Sequence, residues 1–480
     1  MSQHQNLRNQ IVTGSYWVFG ANVLSRGITL LSTFVLMKIL DPDNFGVIGY
    51  GFLIVSGIGL IREMGFSSAL IYQKERVESA ANTAFWFITI WSLFLYVLAF
   101  LLAPVAASFF REPRLTALLR VVMFSVVLNS CASISMSLME KEINFKRRVI
   151  PELANLSVYG IVTSICAILG LRYWSFVVGV LVGDLVQFLL AFILRPIRLK
   201  FGFDKDLFHQ LFGFGKNVMG LGILNFGIRN VDDFFVGRML GTTPLGIYQL
   251  AYRLANIPAT NITNVMGKVL FPGFTRLADD PIKLKSGFEK SFQYVTFVTI
   301  PITFYIVLVT PEVILRFFPQ WQSAIVPIQL IAYFGGIRSI SAGLGKLFLA
   351  KGVPHRLIPV SLFQFGFLSI FLYPTIHYFG LVGVCILVNI AITVAFIWSF
   401  ILAANLVPIT LRGILRILAK PVVISTFLFL MIYVLCVQCG DNRFAFIIMI
   451  KMVSFPVLYL IFTYCFSNVP RQLYSDFFHR

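Results

Sequence analysis

GFGKNVMGLGILNFGIRNVDDFFVGRMLGTTPLGIYQLAYRLANIPATNITNVMGKVLFPGF, residues 213–274, decides how the rest of the chain is read. Two runs, 213–240 and 246–270, flank the turn Gly241-Thr-Thr-Pro-Leu. Each run exceeds the roughly 20 residues a helix needs to cross a bilayer. The first carries Arg229, Asp232 and Asp233, and the second carries Arg253. A charge at mid-bilayer costs about 2.5–3.5 kcal/mol on insertion scales, so such residues line water or find partners.

The stretch also nearly repeats the start of the chain. At an offset of 200, Gly20, Gly27, Phe34, Leu40 and Gly46 fall on Gly220, Gly227, Phe234, Leu240 and Gly246. Further on, Arg148-Val-Ile-Pro151 matches Arg356-Leu-Ile-Pro359, and Gly170-Leu171 matches Gly380-Leu381. Scattered leucines and glycines match by chance in apolar sequence, but a turn shared by matched spans is harder to produce that way.

Composition agrees with a membrane chain. Of 480 residues, 58% are hydrophobic and 12% charged, too little polar surface for a soluble domain of this length. The reading is an all-α polytopic membrane protein with about fourteen transmembrane helices. Two parallel six-helix repeats form an N-lobe (1–205) and a C-lobe (206–408) around a central cavity. Two appended helices and a tail follow (409–480). An even number of spans per half makes the repeats parallel, and transporters of that design bind between their halves.

The net charge of +19 does not point to nucleic acid. The basic residues sit in short loops between apolar spans, as the positive-inside rule and anionic lipid heads require. With both termini in the cytoplasm, inside loops and their edges hold Lys74 and Arg76, Lys141 to Arg148, Arg195 to Lys205, Arg276 to Lys285, Lys351 and Arg356, and Arg412 and Arg416. Outside loops and edges hold few, among them Arg111, Arg114, Arg172, Arg316 and Arg443.

Within the first twelve spans lie Arg26, Arg62, Arg120, Arg229, Arg253, Arg338 and Lys346, against Glu63, Asp184, Asp232 and Asp233. Left unpaired, seven cations would cost on the order of 20 kcal/mol. Arg229 and Asp233 are four apart, so an ion pair on one helix face competes with a cavity role. Arg26 and Arg253 have no carboxylate within a turn; a cavity-facing role competes with ion pairing to Asp184 or Asp232. Arg62 beside Glu63 reads as snorkelling toward the surface. Arginines in a wet cleft suit a diphosphate, because a guanidinium fork grips two oxygens and stays charged. Arg26, Arg253, Arg229 and Arg338 are therefore the candidate substrate-binding residues. Asp184, Asp232 and Asp233 are candidates for coupling to H⁺ or Na⁺, with simple neutralisation of arginines as the alternative. No catalytic, cofactor or metal residues are expected. Asp41-Pro-Asp43 has the form of a glycosyltransferase metal motif, but a short turn offers no fold to hold a sugar nucleotide.

Certain residues resemble a known family. Met239-Leu240-Gly241, Gly246-Ile-Tyr248-Gln-Leu250-Ala251-Tyr252, Pro258 and Val269-Leu270-Phe271-Pro272-Gly-Phe274 resemble the polysaccharide-transport branch of the multidrug/oligosaccharidyl-lipid/polysaccharide (MOP) flippase superfamily. The likeness is to its Wzx-type colanic acid and lipopolysaccharide exporter group. Phe45-Gly46, Leu138-Met139-Glu-Lys-Glu142-Ile-Asn-Phe145, Trp321 with Pro327-Ile-Gln-Leu330, and Ala350-Lys351 support it. The resemblance implies a MATE-like fold and a flippase, not an enzyme, in the bacterial inner membrane. Its cargo would be an undecaprenyl-diphosphate-linked oligosaccharide for surface polysaccharide such as O-antigen, colanic acid or exopolysaccharide. Implied partners are that polyprenyl lipid, membrane lipids, and the polysaccharide polymerase and chain-length machinery. By span, Arg26 and Arg253 correspond to arginines that hold the diphosphate in related flippases. A cation-coupled multidrug exporter of the same fold is the first alternative. A membrane-embedded glycosyltransferase or polymerase is the second.

Overall fold

The computed structural model describes Gly20, Leu24, Ser25 and residues 27–466, apart from Ile143, Arg198, Phe201 and 439–443; at some positions, 257–269 among them, it describes the backbone alone. Among these residues the chain is helical throughout. The helices are α1 (Gly27–Ile39), α2 (Pro42–Glu63), α3 (Phe66–Tyr72), α4 (Val77–Phe110), α5 (Arg114–Val122), α6 (Phe124–Lys141), α7 (Phe145–Ile168) and α8 (Trp174–Leu194). Then come α9 (Lys205–Leu240), α10 (Thr242–Arg276), α11 (Pro281–Phe317), α12 (Ile325–Ala350), α13 (Ile358–Ala404), α14 (Leu411–Gln438) and α15 (Phe444–Phe466). Nine stretches of the described residues are long and apolar enough to cross a membrane. The 36-residue α9 and 35-residue α10, which carry the charges noted above, are not among the nine.

Local chemistry sets the helix ends. Asp204 starts α9 by accepting from the Asp206 and Leu207 amides, both at 3.1 Å. Asp280 does the same for α11, and Pro281 at the first helical position has no amide to satisfy. Asn144 caps α7. Within α13, Gly380 takes φ +56°, ψ −147° and divides 47 residues into two helices, at the boundary between the expected spans 357–379 and 381–405. Its match in the repeat, Gly170, also has φ positive, at +84°. A side chain rarely adopts that region, so glycine recurs where the turn recurs.

The chain divides into two compact units, one up to Gly246 and one from Ile247. In the first unit, loops expected on one membrane side do meet. Arg195 bridges Glu78 and Glu142 at 2.7 Å each, and Arg76 pairs with Asp204 at 2.5 Å. At the other end Arg114 binds Asp43 at 2.6 Å, Thr242 donates to the same carboxylate at 2.5 Å, and the Tyr173 amide donates to Asn44 at 3.1 Å. Even-numbered and odd-numbered turns thus gather at opposite ends, which is what successive membrane crossings produce.

Down this unit α2 and α9 run antiparallel in close contact. Tyr50 donates to the Gly237 carbonyl at 2.8 Å. Gly57 faces Phe226, Gly222 faces Leu60 and Gly65 faces Gly215. Small residues at successive levels let two backbones approach, as in membrane helix pairs. The second unit has its own core, built from Phe274, Leu284, Phe288, Phe292, Leu347 and Phe348.

Candidate functional site

In the first unit the ends of α2, α6, α7 and α8 enclose a polar cleft of about 320 Å³. Arg62, Arg148, Glu63, Glu140 and Glu152 line it. The amides of Asn129 and Gln187 and the hydroxyls of Ser67, Ser133 and Ser137 complete the wall. Ser133 and Ser137 lie one turn apart on α6, and each donates to a carbonyl of its own helix. That internal bonding lets a hydroxyl sit in an apolar segment.

Arg62 corrects an expectation. It does not snorkel: the residue is 9% exposed and its guanidinium binds Glu63 at 2.7 Å. Neighbours one apart on a helix point different ways, but α2 ends at Glu63 and Met64 turns to φ +42°. The broken helix lets the two side chains meet. Arg148 is also engaged, at 3.1 Å from Glu140 and 3.4 Å from Glu152.

Asp184 stands beside this cleft, buried on α8. Asn129 donates to one carboxylate oxygen at 2.7 Å and Asn155 to the other at 2.8 Å. Asn155 also donates to Gln187 at 2.9 Å. Amides, which carry no charge, thus hold this carboxylate. On α9, Arg229 is exposed, Asp232 is buried and its carboxylate accepts from the Asp233 amide at 3.1 Å.

In the second unit Arg253 is half-buried on α10. One turn on, Asn256 accepts from Arg338 of α12 at 3.2 Å. Gly335 makes this possible, since a β-carbon there would lie 2.2 Å from the Ala255 carbonyl oxygen. The structure therefore brings Arg338 to the helix that bears Arg253, next to its following turn. Arg26 lies outside the described residues.

One feature was missed from sequence. Glu312 of α11 and Lys451 of α15 form a buried ion pair, with side chains 15% and 6% exposed. Each is one charge in a long apolar run, the signal that could have found it. Asp43, of the glycosyltransferase-like motif, is consumed by Arg114 and Thr242. Among the described residues no three His, Cys, Asp or Glu side chains gather as a metal site.

A family model described as polysaccharide biosynthesis protein matches residues 35–326, more than half the chain. The chain belongs to that family. Among its relatives is the lipopolysaccharide biosynthesis protein WzxC of Escherichia coli (strain K12), 25% identical over 353 residues, 72% of this chain and 71% of that one. The succinoglycan biosynthesis transport protein ExoT of Rhizobium meliloti (strain 1021) is 25% identical over 66% of this chain and 65% of its own. The fold is that of the lipid II flippase MurJ in an inward closed conformation, with a TM-score of 0.74 at 15% identity over 96% of this chain and 99% of that one. An inward-facing MATE multidrug resistance transporter of the MOP superfamily matches at 0.65 and 16% identity, over 79% of this chain and 95% of its own. This member of the polysaccharide biosynthesis family is a multi-pass α-helical membrane protein of the MOP fold.

Proposed function

We propose that this protein flips an undecaprenyl-diphosphate-linked oligosaccharide from the cytoplasmic to the outer leaflet of the bacterial inner membrane, by alternating access, with both termini in the cytoplasm. One observation carries the reading: a chain of a polysaccharide biosynthesis family has the fold of a lipid II flippase along nearly its whole length. The relatives' names concern surface polymers and not drugs, which favours sugar-bearing cargo over a multidrug substrate.

The physical problem is to carry charge and hydroxyls through hydrocarbon while the lipid tail stays in it. Arg26, Arg229, Arg253 and Arg338 are the groups for the diphosphate, since a guanidinium offers paired donors and cannot lose its proton. Asn256 holds Arg338 without cancelling its charge. Asp184, Asp232 and Asp233 are the groups for coupling to H⁺ or Na⁺; at Asp184, neutral amide partners leave the carboxylate's charge available to an ion. The polymerase and chain-length machinery are partners of the pathway that this reading expects.

The test is export in a polymer-producing cell carrying Arg26→Ala with Arg253→Ala. Surface polymer should be lost and lipid-linked oligosaccharide should accumulate in the inner leaflet. Normal polymer with no accumulation would remove those arginines from the mechanism.

A further inference from the structure

The polar cleft of the first unit has the wrong charge for a diphosphate. Its two guanidiniums, Arg62 and Arg148, face three carboxylates, Glu63, Glu140 and Glu152, so the lining is net negative. Each arginine is already within ion-pair distance of a carboxylate. A phosphate entering here would meet spent cations and one surplus anion. A metal cation would have to compete with the guanidiniums for the same oxygens.

What the lining does offer is hydrogen bonding of mixed polarity. Carboxylate oxygens accept, the Gln187 amide can donate, and the Asn129 carbonyl and the Ser133 and Ser137 hydroxyls, whose own hydrogens are already given to Asp184 and to backbone carbonyls, can accept. One donor is open to an occupant: Gln187 accepts from Asn155 through its side-chain oxygen at 2.9 Å, which leaves its own N–H groups to the cleft. The volume of about 320 Å³ sits at the small end of ligand sites. It suits one ring with several hydroxyls better than a whole repeat unit. The cleft also lies at the end where α3 and the turn after α6 meet, the end whose basic loops are expected to face the cytoplasm.

We infer that this cleft is a sugar subsite: it receives one uncharged pyranose of the cargo, while the diphosphate is held elsewhere. The inference rests on the flippase reading. Hydroxyls of the ring accept from the Gln187 amide and donate to the carboxylates, and the ion pairs keep those carboxylates in place.

The experiment uses the full-length protein in lipid nanodiscs and two probes. One is bare undecaprenyl diphosphate. The other is the glycosylated undecaprenyl diphosphate pool extracted from polymer-producing cells. Ser133→Leu fills the cleft from α6, and Gln187→Ala removes one amide from the opposite wall. Both should weaken the glycosylated probe about tenfold, the equivalent of one or two hydrogen bonds, and change the bare probe less than about twofold. Thermal unfolding verifies each variant; if Ser133→Leu does not fold, Gln187→Ala carries the test. Equal weakening of both probes, or of neither, overturns the sugar subsite and leaves the flippase reading standing. Parent protein that binds neither probe overturns both.

Discussion

Gly46 and Gly246, 200 residues apart, are backbone neighbours: a β-carbon on Gly246 would lie 2.8 Å from the Gly46 amide nitrogen and 2.0 Å from the Pro42 carbonyl oxygen. The contact is reciprocal, because a β-carbon on Gly46 would lie 1.8 Å from the Thr242 carbonyl oxygen. Residues 42 and 46 thus meet 246 and 242, their own repeat matches exchanged.

Backbone cannot rotate away as a side chain can. Gly46→Ala and Gly246→Ala should each destabilise this arrangement by about 2–3 kcal/mol. The double variant should cost less than the sum, because both act on one contact. Gly220→Ala, in the same α9 but with nothing within 4 Å, should be neutral or stabilising by up to about 1 kcal/mol. Unfolding in detergent measures all four, and equal effects at Gly220 and Gly246 would refute the close approach.

The buried pair between Glu312 and Lys451 should show the asymmetry of such pairs. Lys451→Ala alone leaves a carboxylate without its cation and should cost about 3–5 kcal/mol. Glu312→Leu with Lys451→Leu should cost little or stabilise. A double-mutant cycle on thermal unfolding checks this; additive losses would mean that the two side chains do not interact.

Acid should weaken the caps of α9 and α11. Asp204 is held below the usual carboxylate range by the Leu207 amide, opposed by desolvation and helped by Arg76, and Asp280 chiefly by the Lys283 amide and side chain. A carboxyl whose folded pKa lies below its unfolded value adds stability above the unfolded value, near 3.9. That contribution is lost as the pH falls through the folded value. The melting midpoint of the parent should therefore drop between about pH 5 and pH 3. Asp204→Asn with Asp280→Asn keeps a capping acceptor that does not titrate, so its midpoint should drop less. Parallel acid limbs would show that neither cap is linked to pH.

Much of the fold was legible because hydrocarbon demands long apolar helices, and short basic loops mark which turns share a side. The match of Gly170 with Gly380 located two turns whose glycines both take a positive φ. The site was less legible, because a charge shows where water or a partner is needed but not which. Asp184 answers with two amides from two other helices, and nothing in the sequence around it names them. Arg62 was misread because helix geometry forbids contact with Glu63 only while the helix continues. The polar cleft combines four helices and a short fifth, α3, and no contiguous motif encodes it.

Translation gives the pair between Glu312 and Lys451 a timetable. The carboxylate emerges 139 residues before its cation. At about 5–20 residues per second, that leaves roughly 7–28 s in which an acidic side chain must wait, in or beside the insertion machinery, before its partner arrives. The last helix is thus a late requirement for the middle of the chain, and premature termination before residue 451 would strand an acid in lipid rather than merely shorten the protein.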